Sequence, residues 1–155
     1  MTTTNDTIGR DKSCDLTRFE NAQESIYDSV LLELTNGKKR THWMWYIFPQ
    51  VEGLGHSAIA KYYAIQSREE ARQYLDHPVL GKRLLESSAA VLAIEGRTVS
   101  EIFGYPDNLK LKSSMTLFAS VAEPGSVFAG VLDKYFNGEQ DVLTLQLLEK
   151  LEEKN

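Results

Sequence analysis

Apolar side chains recur at spacings of three and four along nearly every stretch of this 155-residue chain, a period that buries them by packing helix against helix. Asp15 suits an N-cap, and after it Phe19, Ala22, Gln23, Ile26, Tyr27, Val30 and Leu34 line one face of a helix that Asn36-Gly37 stops. Ser57 is placed to cap a helix through Ala58, Ile59, Tyr62, Tyr63 and Ile65. Ser67 and Glu70 form a capping-box pattern opening a helix to Leu75, and Pro78 suits the first turn of one carrying Leu80, Leu84, Val91 and Leu92 up to Gly96. Thr98 and Glu101 repeat the box before the short segment Val99 to Phe103, which Gly104 ends. Asp107 reads as the cap of a helix containing Leu111, Met115 and Phe118, while Ser126 and Asp141 start two amphipathic segments.

One run departs from this period. Thr41 to Gln50 is almost unbroken in apolar side chains, and its Trp, Tyr, Ile and Phe suit a strand as well as a buried helix. A lone strand among helices would have no partner for its backbone groups, so the run is expected to form a short buried helix. Pro49, Gly53 and Gly55 then impose an irregular loop. The expected architecture is all-α, a single-domain bundle of about seven to nine helices over residues 15–155, after a polar, disordered tail over residues 1–14.

Hydrophobic content of 42% and charged content of 25% describe an ordinary globular chain. A net charge of −5 argues against nucleic acid as the partner, because phosphate neutralisation needs Lys and Arg over a whole face. The single cysteine, Cys14, offers neither a disulfide nor a thiolate metal site, and His42, His56 and His77 lack the local spacing of a helical metal pair. With no apolar run approaching the ~20 residues of a membrane span, the expectation is a cytoplasmic protein without membrane, metal or cofactor.

Chemistry concentrates in two places. The first is the block after Lys38-Lys39-Arg40, where His42, Trp43, Trp45, Tyr46, Phe48 and Gln50 crowd together. Aromatic rings there could stack on a planar ligand while Lys39 and Arg40 meet its negative charge and the Gln50 amide orients it. His42, as a neutral imidazole at the edge of the block, is the candidate base or donor. Large aromatics are mainly buried for packing, so most of the block reads better as core. The second place holds Lys110, Lys112, Ser113, Ser114 and Thr116. If Asp107 caps this helix, Ser114 shares a face with Lys110; if Ser113 is the cap, free backbone N–H groups face an anion.

Long motifs carry a family resemblance: DLTRFENAQ, HWMWYIFPQ, GLGHS, YYAI, YLDHPVLGKRL, IFGYPDNLKLKSSMTLF and VLDKYFNGEQDVLTLQLL, spread from Asp15 to Leu148. Together they resemble the bacterial domain-of-unknown-function-1810 family, which implies an all-α fold and brings no established catalytic residues. The calpastatin label sometimes attached to such proteins belongs to an extended, disordered inhibitor, the opposite of a helical core. At Tyr46 the family motif more often has phenylalanine, and the added hydroxyl needs a partner if buried.

Two functional expectations follow. In the first, Lys39, Arg40, His42, Trp43, Trp45, Gln50, Lys110, Lys112, Ser113 and Ser114 line a pocket for a small anionic, planar, nucleotide-like metabolite. In the second, the aromatic segment 43–48 is exposed and anchors a protein partner.

Overall fold

The computed structural model describes residues 15–153, and the expected N-terminal tail lies outside them. Ten helices are described: α1 (Thr17–Gln23), α2 (Tyr27–Thr35), α3 (Met44–Ile47), α4 (Ala58–Tyr62), α5 (Arg68–Asp76), α6 (Leu80–Ala93), α7 (Val99–Phe103), α8 (Asp107–Ala119), α9 (Val127–Phe136) and α10 (Val142–Glu153). The expected all-α class holds, and the expected count of seven to nine is corrected to ten. The extra element arises because the first helix is two. Ile26 N–H reaches back three residues to the Gln23 carbonyl, tightening the chain between α1 and α2. Phe19 and Gln23 on one side of this turn, and Tyr27, Val30 and Leu34 on the other, stay buried, so the side-chain period passes through the break unchanged.

Several helix starts follow the cap signals. Ser57, Ser67 and Ser126 each accept a bond from the backbone N–H three residues on, and Thr98 with Glu101 forms the full box. Elsewhere the chemistry shifts by a residue or two. Glu70 accepts from Gln66 N–H at 2.6 Å, one residue before the cap it was expected to close. Ahead of α6, whose N-cap is Val79, His77 Nδ1 accepts from Val79 and Leu80 N–H, both at 3.1 Å. The α4 helix stops at Tyr62 instead of continuing to Ile65. Beyond it the chain extends, and Ile65 forms an isolated parallel bridge with Val51, its N–H donating to the Gln50 carbonyl at 2.8 Å. Arg18 holds that corner from α1, donating to the carbonyls of Tyr62 at 2.7 Å and Ala64 at 3.0 Å.

One apolar core runs through the helices, and α8 sits deep within it, touching α5, α7, α9 and α10. Leu111, Ser113, Ser114, Met115, Thr116, Leu117 and Phe118 are all buried, so this helix has almost no solvent face beyond its first turn. A chain of rings, Phe19 to Tyr74 to Phe118 to Phe128, crosses the core with centroids 5.1, 5.4 and 5.8 Å apart. Asp141 ties α10 to α8: its carboxylate accepts from Ser113 Oγ at 2.9 Å, and its N–H donates to Thr116 Oγ1 at 2.9 Å.

A second anchor fixes the segment leaving α2. Gly37, at φ +74°, turns the chain; Lys38 N–H closes onto the Glu33 carbonyl, and Lys39 N–H donates to Ile102 O of α7 at 2.8 Å. Buried Glu33 then gathers the following residues: Oε1 accepts from the N–H groups of Arg40 at 2.8 Å and Thr41 at 3.2 Å and from Trp43 Nε1 at 2.9 Å, while Oε2 accepts from Thr41 Oγ1 at 2.6 Å. Burial alone would raise the Glu33 pKa, but these donors outweigh it and lower the value from 4.5 to about 2.

Two stability predictions follow from this packing. A Cβ on Gly81 would lie 2.0 Å from the Leu75 carbonyl oxygen, backbone that cannot rotate aside. Gly81→Ala should therefore cost about 3 kcal/mol, lowering the thermal midpoint by roughly 6–12 °C for a chain of this size. A fall of under about 2 °C would contradict the tight α5 to α6 contact. Glu33 has a folded-state pKa below its unfolded value, so its stabilisation is present above pH 4.5 and is lost as pH falls toward about 2. That difference is worth on the order of 3 kcal/mol. Urea unfolding at pH 7 and pH 3 should show Glu33→Gln much less acid-sensitive than the parent chain; equal pH dependence would remove the carboxylate from this role.

Candidate functional site

The Glu33-held segment and the first turn of α8 face each other across a cleft of about 180 Å³ lined by Lys39, His42, Trp43, Met44, Trp45, Tyr46, Ile59, Asp107 and Lys110. Asp107 is the hinge of its charge. It does not cap α8, as the sequence suggested; it is the first helical residue and receives two ammonium groups. Lys39 Nζ lies 2.8 Å from Asp107 Oδ2, and Lys110 Nζ lies 3.4 Å from Oδ1. Two cations against one carboxylate leave the cleft with one positive charge in excess.

The two lysines are held differently. The Lys39 side chain is only 6% exposed; its Nζ also donates to Thr41 O at 2.6 Å and lies 5.0 Å from the Trp43 ring. Lys110 is 23% exposed, with its ammonium 4.1 Å from the centre of the Trp45 ring. Lys39 is thus embedded in the wall, and Lys110 is the more accessible cation. One face of Trp45 is already covered by that ammonium.

The aromatic block divides between core and cleft. Trp43 is 2% exposed, donates its indole N–H to Glu33 and packs with Phe48 and Phe103 at centroid distances of 6.1 and 6.4 Å. Met44, Ile47 and Phe48 are also buried. The expected exposed segment 43–48 is therefore corrected: inside it only Trp45 and Tyr46 are partly open, because the short helix α3 turns the others inward. The Tyr46 hydroxyl finds its partner locally, donating to His42 O at 3.1 Å. His42 itself is exposed at the cleft edge, outside the buried part of the aromatic block.

The remaining sequence candidates lie elsewhere. Arg40 is exposed and does not line the cleft, though its backbone N–H is held by Glu33. Gln50 is 7% exposed beside the Val51 to Ile65 bridge, with its Nε2 buried and unpartnered. Lys112 points to another side of α8, where it pairs with Glu139 at 3.3 Å in a shallow groove beside α10. Ser113 is engaged by Asp141, and Ser114 is fully buried with its Oγ unpartnered. Ser113 lies inside α8, so it presents no free helix N-terminus. The structure brings together Lys39, His42, Trp43, Trp45, Tyr46 and Lys110, and it adds Met44, Ile59 and Asp107. A carboxylate three residues before Lys110 was the available signal for Asp107, since i and i+3 are neighbours on a helix.

Among the described residues no three His, Cys, Asp or Glu side chains gather to hold a metal ion, and no helix is long and apolar enough to cross a membrane. A model for a protein family of unknown function, DUF1810, matches residues 13–148. The crystal structure of the conserved hypothetical protein Rv1873 from Mycobacterium tuberculosis is similar at 50% sequence identity and a TM-score of 0.85, covering 87% of this chain and 96% of that one. No curated protein matches the chain. The matched range includes every residue that lines the cleft, and the chain belongs to the DUF1810 family.

Proposed function

We propose that the chain binds a small, anionic, planar metabolite in the cleft between the 39–46 segment and the first turn of α8. The observation that carries this reading is the shared carboxylate: Asp107 neutralises one of Lys39 and Lys110, and the remaining positive charge sits against the Trp45 ring. An anion entering there completes the charge balance, and the partly open Trp45 and Tyr46 rings offer apolar surface to a flat molecule. His42, exposed at the edge, is placed to donate a hydrogen bond or exchange a proton with the bound molecule.

A partner-binding role for the aromatic segment loses Trp43, one of its two tryptophan anchors, because that ring is core, and keeps the partly open Trp45. The cleft keeps its charge and its ring surface whether or not a protein docks nearby.

Thermal unfolding with a panel of planar anions tests the proposal. A ligand at 100 times its Kd should stabilise the chain by about 2.7 kcal/mol, a rise of roughly 5–10 °C in Tm. Lys110→Ala should move the unliganded midpoint by less than about 4 °C, since a partly exposed ion pair is worth about 1 kcal/mol or less, and His42→Ala, at an exposed side chain, should leave the fold intact as well. Both variants should abolish the ligand shift. A panel without any shift, or a shift retained in both variants, would contradict the reading.

A further inference from the structure

The geometry points to a ligand built as a single flat ring bearing one negative charge, a planar monocarboxylate of the benzoate kind, with Lys110 taking the carboxylate and Lys39 positioning Asp107 beneath it. This rests on the cleft being the binding site, as proposed above.

Size is the first constraint. The cleft offers about 180 Å³. Clefts that enclose drug-sized ligands run to about 300–1,000 Å³. One six-membered ring with one attached anionic group suits the smaller space, and any further part of a larger ligand would lie outside the cleft walls.

Charge is the second. Lys39 and Lys110 balance Asp107 with one positive charge to spare. A carboxylate uses that charge fully. A phosphomonoester dianion brings a second negative charge to face Asp107, and like charges at such a distance disfavour each other in a partly desolvated site.

Accessibility assigns the roles. Lys39 is committed to Asp107 and to Thr41 O and is almost fully covered. Its part is to hold the Asp107 carboxylate in place. The Lys110 ammonium, more open and braced over the Trp45 ring, can turn a donor to an incoming carboxylate without leaving Asp107 Oδ1. Met44, Trp45, Tyr46 and Ile59 supply the apolar wall for the ring.

Calorimetric titration of the full chain with benzoate, AMP and inorganic phosphate decides the matter. Benzoate should bind at least tenfold more tightly than AMP or phosphate, and Lys110→Ala should weaken it tenfold or more. Asp107→Asn removes the opposing charge and should shift the benzoate-to-AMP preference at least tenfold toward AMP. If that variant fails to fold, the ratio measured on the unmodified chain carries the test. AMP binding as tightly as benzoate, and lost in Lys110→Ala, would overturn the monocarboxylate while leaving the cleft as a planar-anion site. Binding of none of the three overturns the monocarboxylate, and the wider reading then stands or falls with the full panel of planar anions.

Discussion

A buried carboxylate organises the part of this protein where chemistry concentrates. Glu33 receives four hydrogen bonds from three residues that follow it within ten positions, and those donors keep it ionised against the cost of burial. With the backbone of Arg40 and Thr41 and the indole of Trp43 fixed by one group, the chain has little freedom between Lys39 and Met44. That restriction places His42 at the edge of the cleft and turns Trp43 into the core. The neighbouring contact of Lys39 N–H with Ile102 O joins the same segment to α7, one loop away from the first turn of α8.

The opposite wall depends on α8. Its middle and last turns are buried apart from Lys112 and Ala119, and Ser113, Ser114 and Thr116 are small enough to let neighbouring helices approach. Asp141 engages Ser113 and Thr116 from α10, which fixes the rotation of α8 about its axis. Rotation decides which lysine serves the cleft. Lys110 faces Asp107 and Trp45, and Lys112, two residues on, is carried to the α10 side, where Glu139 neutralises it.

Helical class, most of the helix starts and the existence of one core were legible from side-chain period and cap residues, because both are local properties of the chain. The break at Ile26 was hidden since a tightened turn keeps the same face buried. The end of α4 was hidden for another reason: Ile65 leaves the helix to pair with Val51, a partner fourteen residues earlier whose position only the fold sets. In the site, Lys39, His42, Trp45 and Lys110 could be picked from residue type, and their meeting could not. Gln50, Lys112, Ser113 and Ser114 have the same chemistry and lie in other surroundings. Glu33 leaves a trace in the sequence: an acid three residues after Val30, on a face whose other members are apolar, needs donors to be buried there.

Preorganisation connects these features to function. A cleft whose two walls are each tied down by a carboxylate, Glu33 on one side and Asp141 behind the other, can hold a ligand without ordering its own loops on binding, which spares affinity that a flexible segment would lose. Native-state hydrogen exchange at the Arg40 and Thr41 amides tests that preorganisation most directly. Held by Glu33, both should exchange only through openings nearly as costly as those that release core amides such as Met115 in α8. Exchange at the rate of an unprotected surface loop would mean that the segment opens freely, and the preformed cleft would not exist in solution.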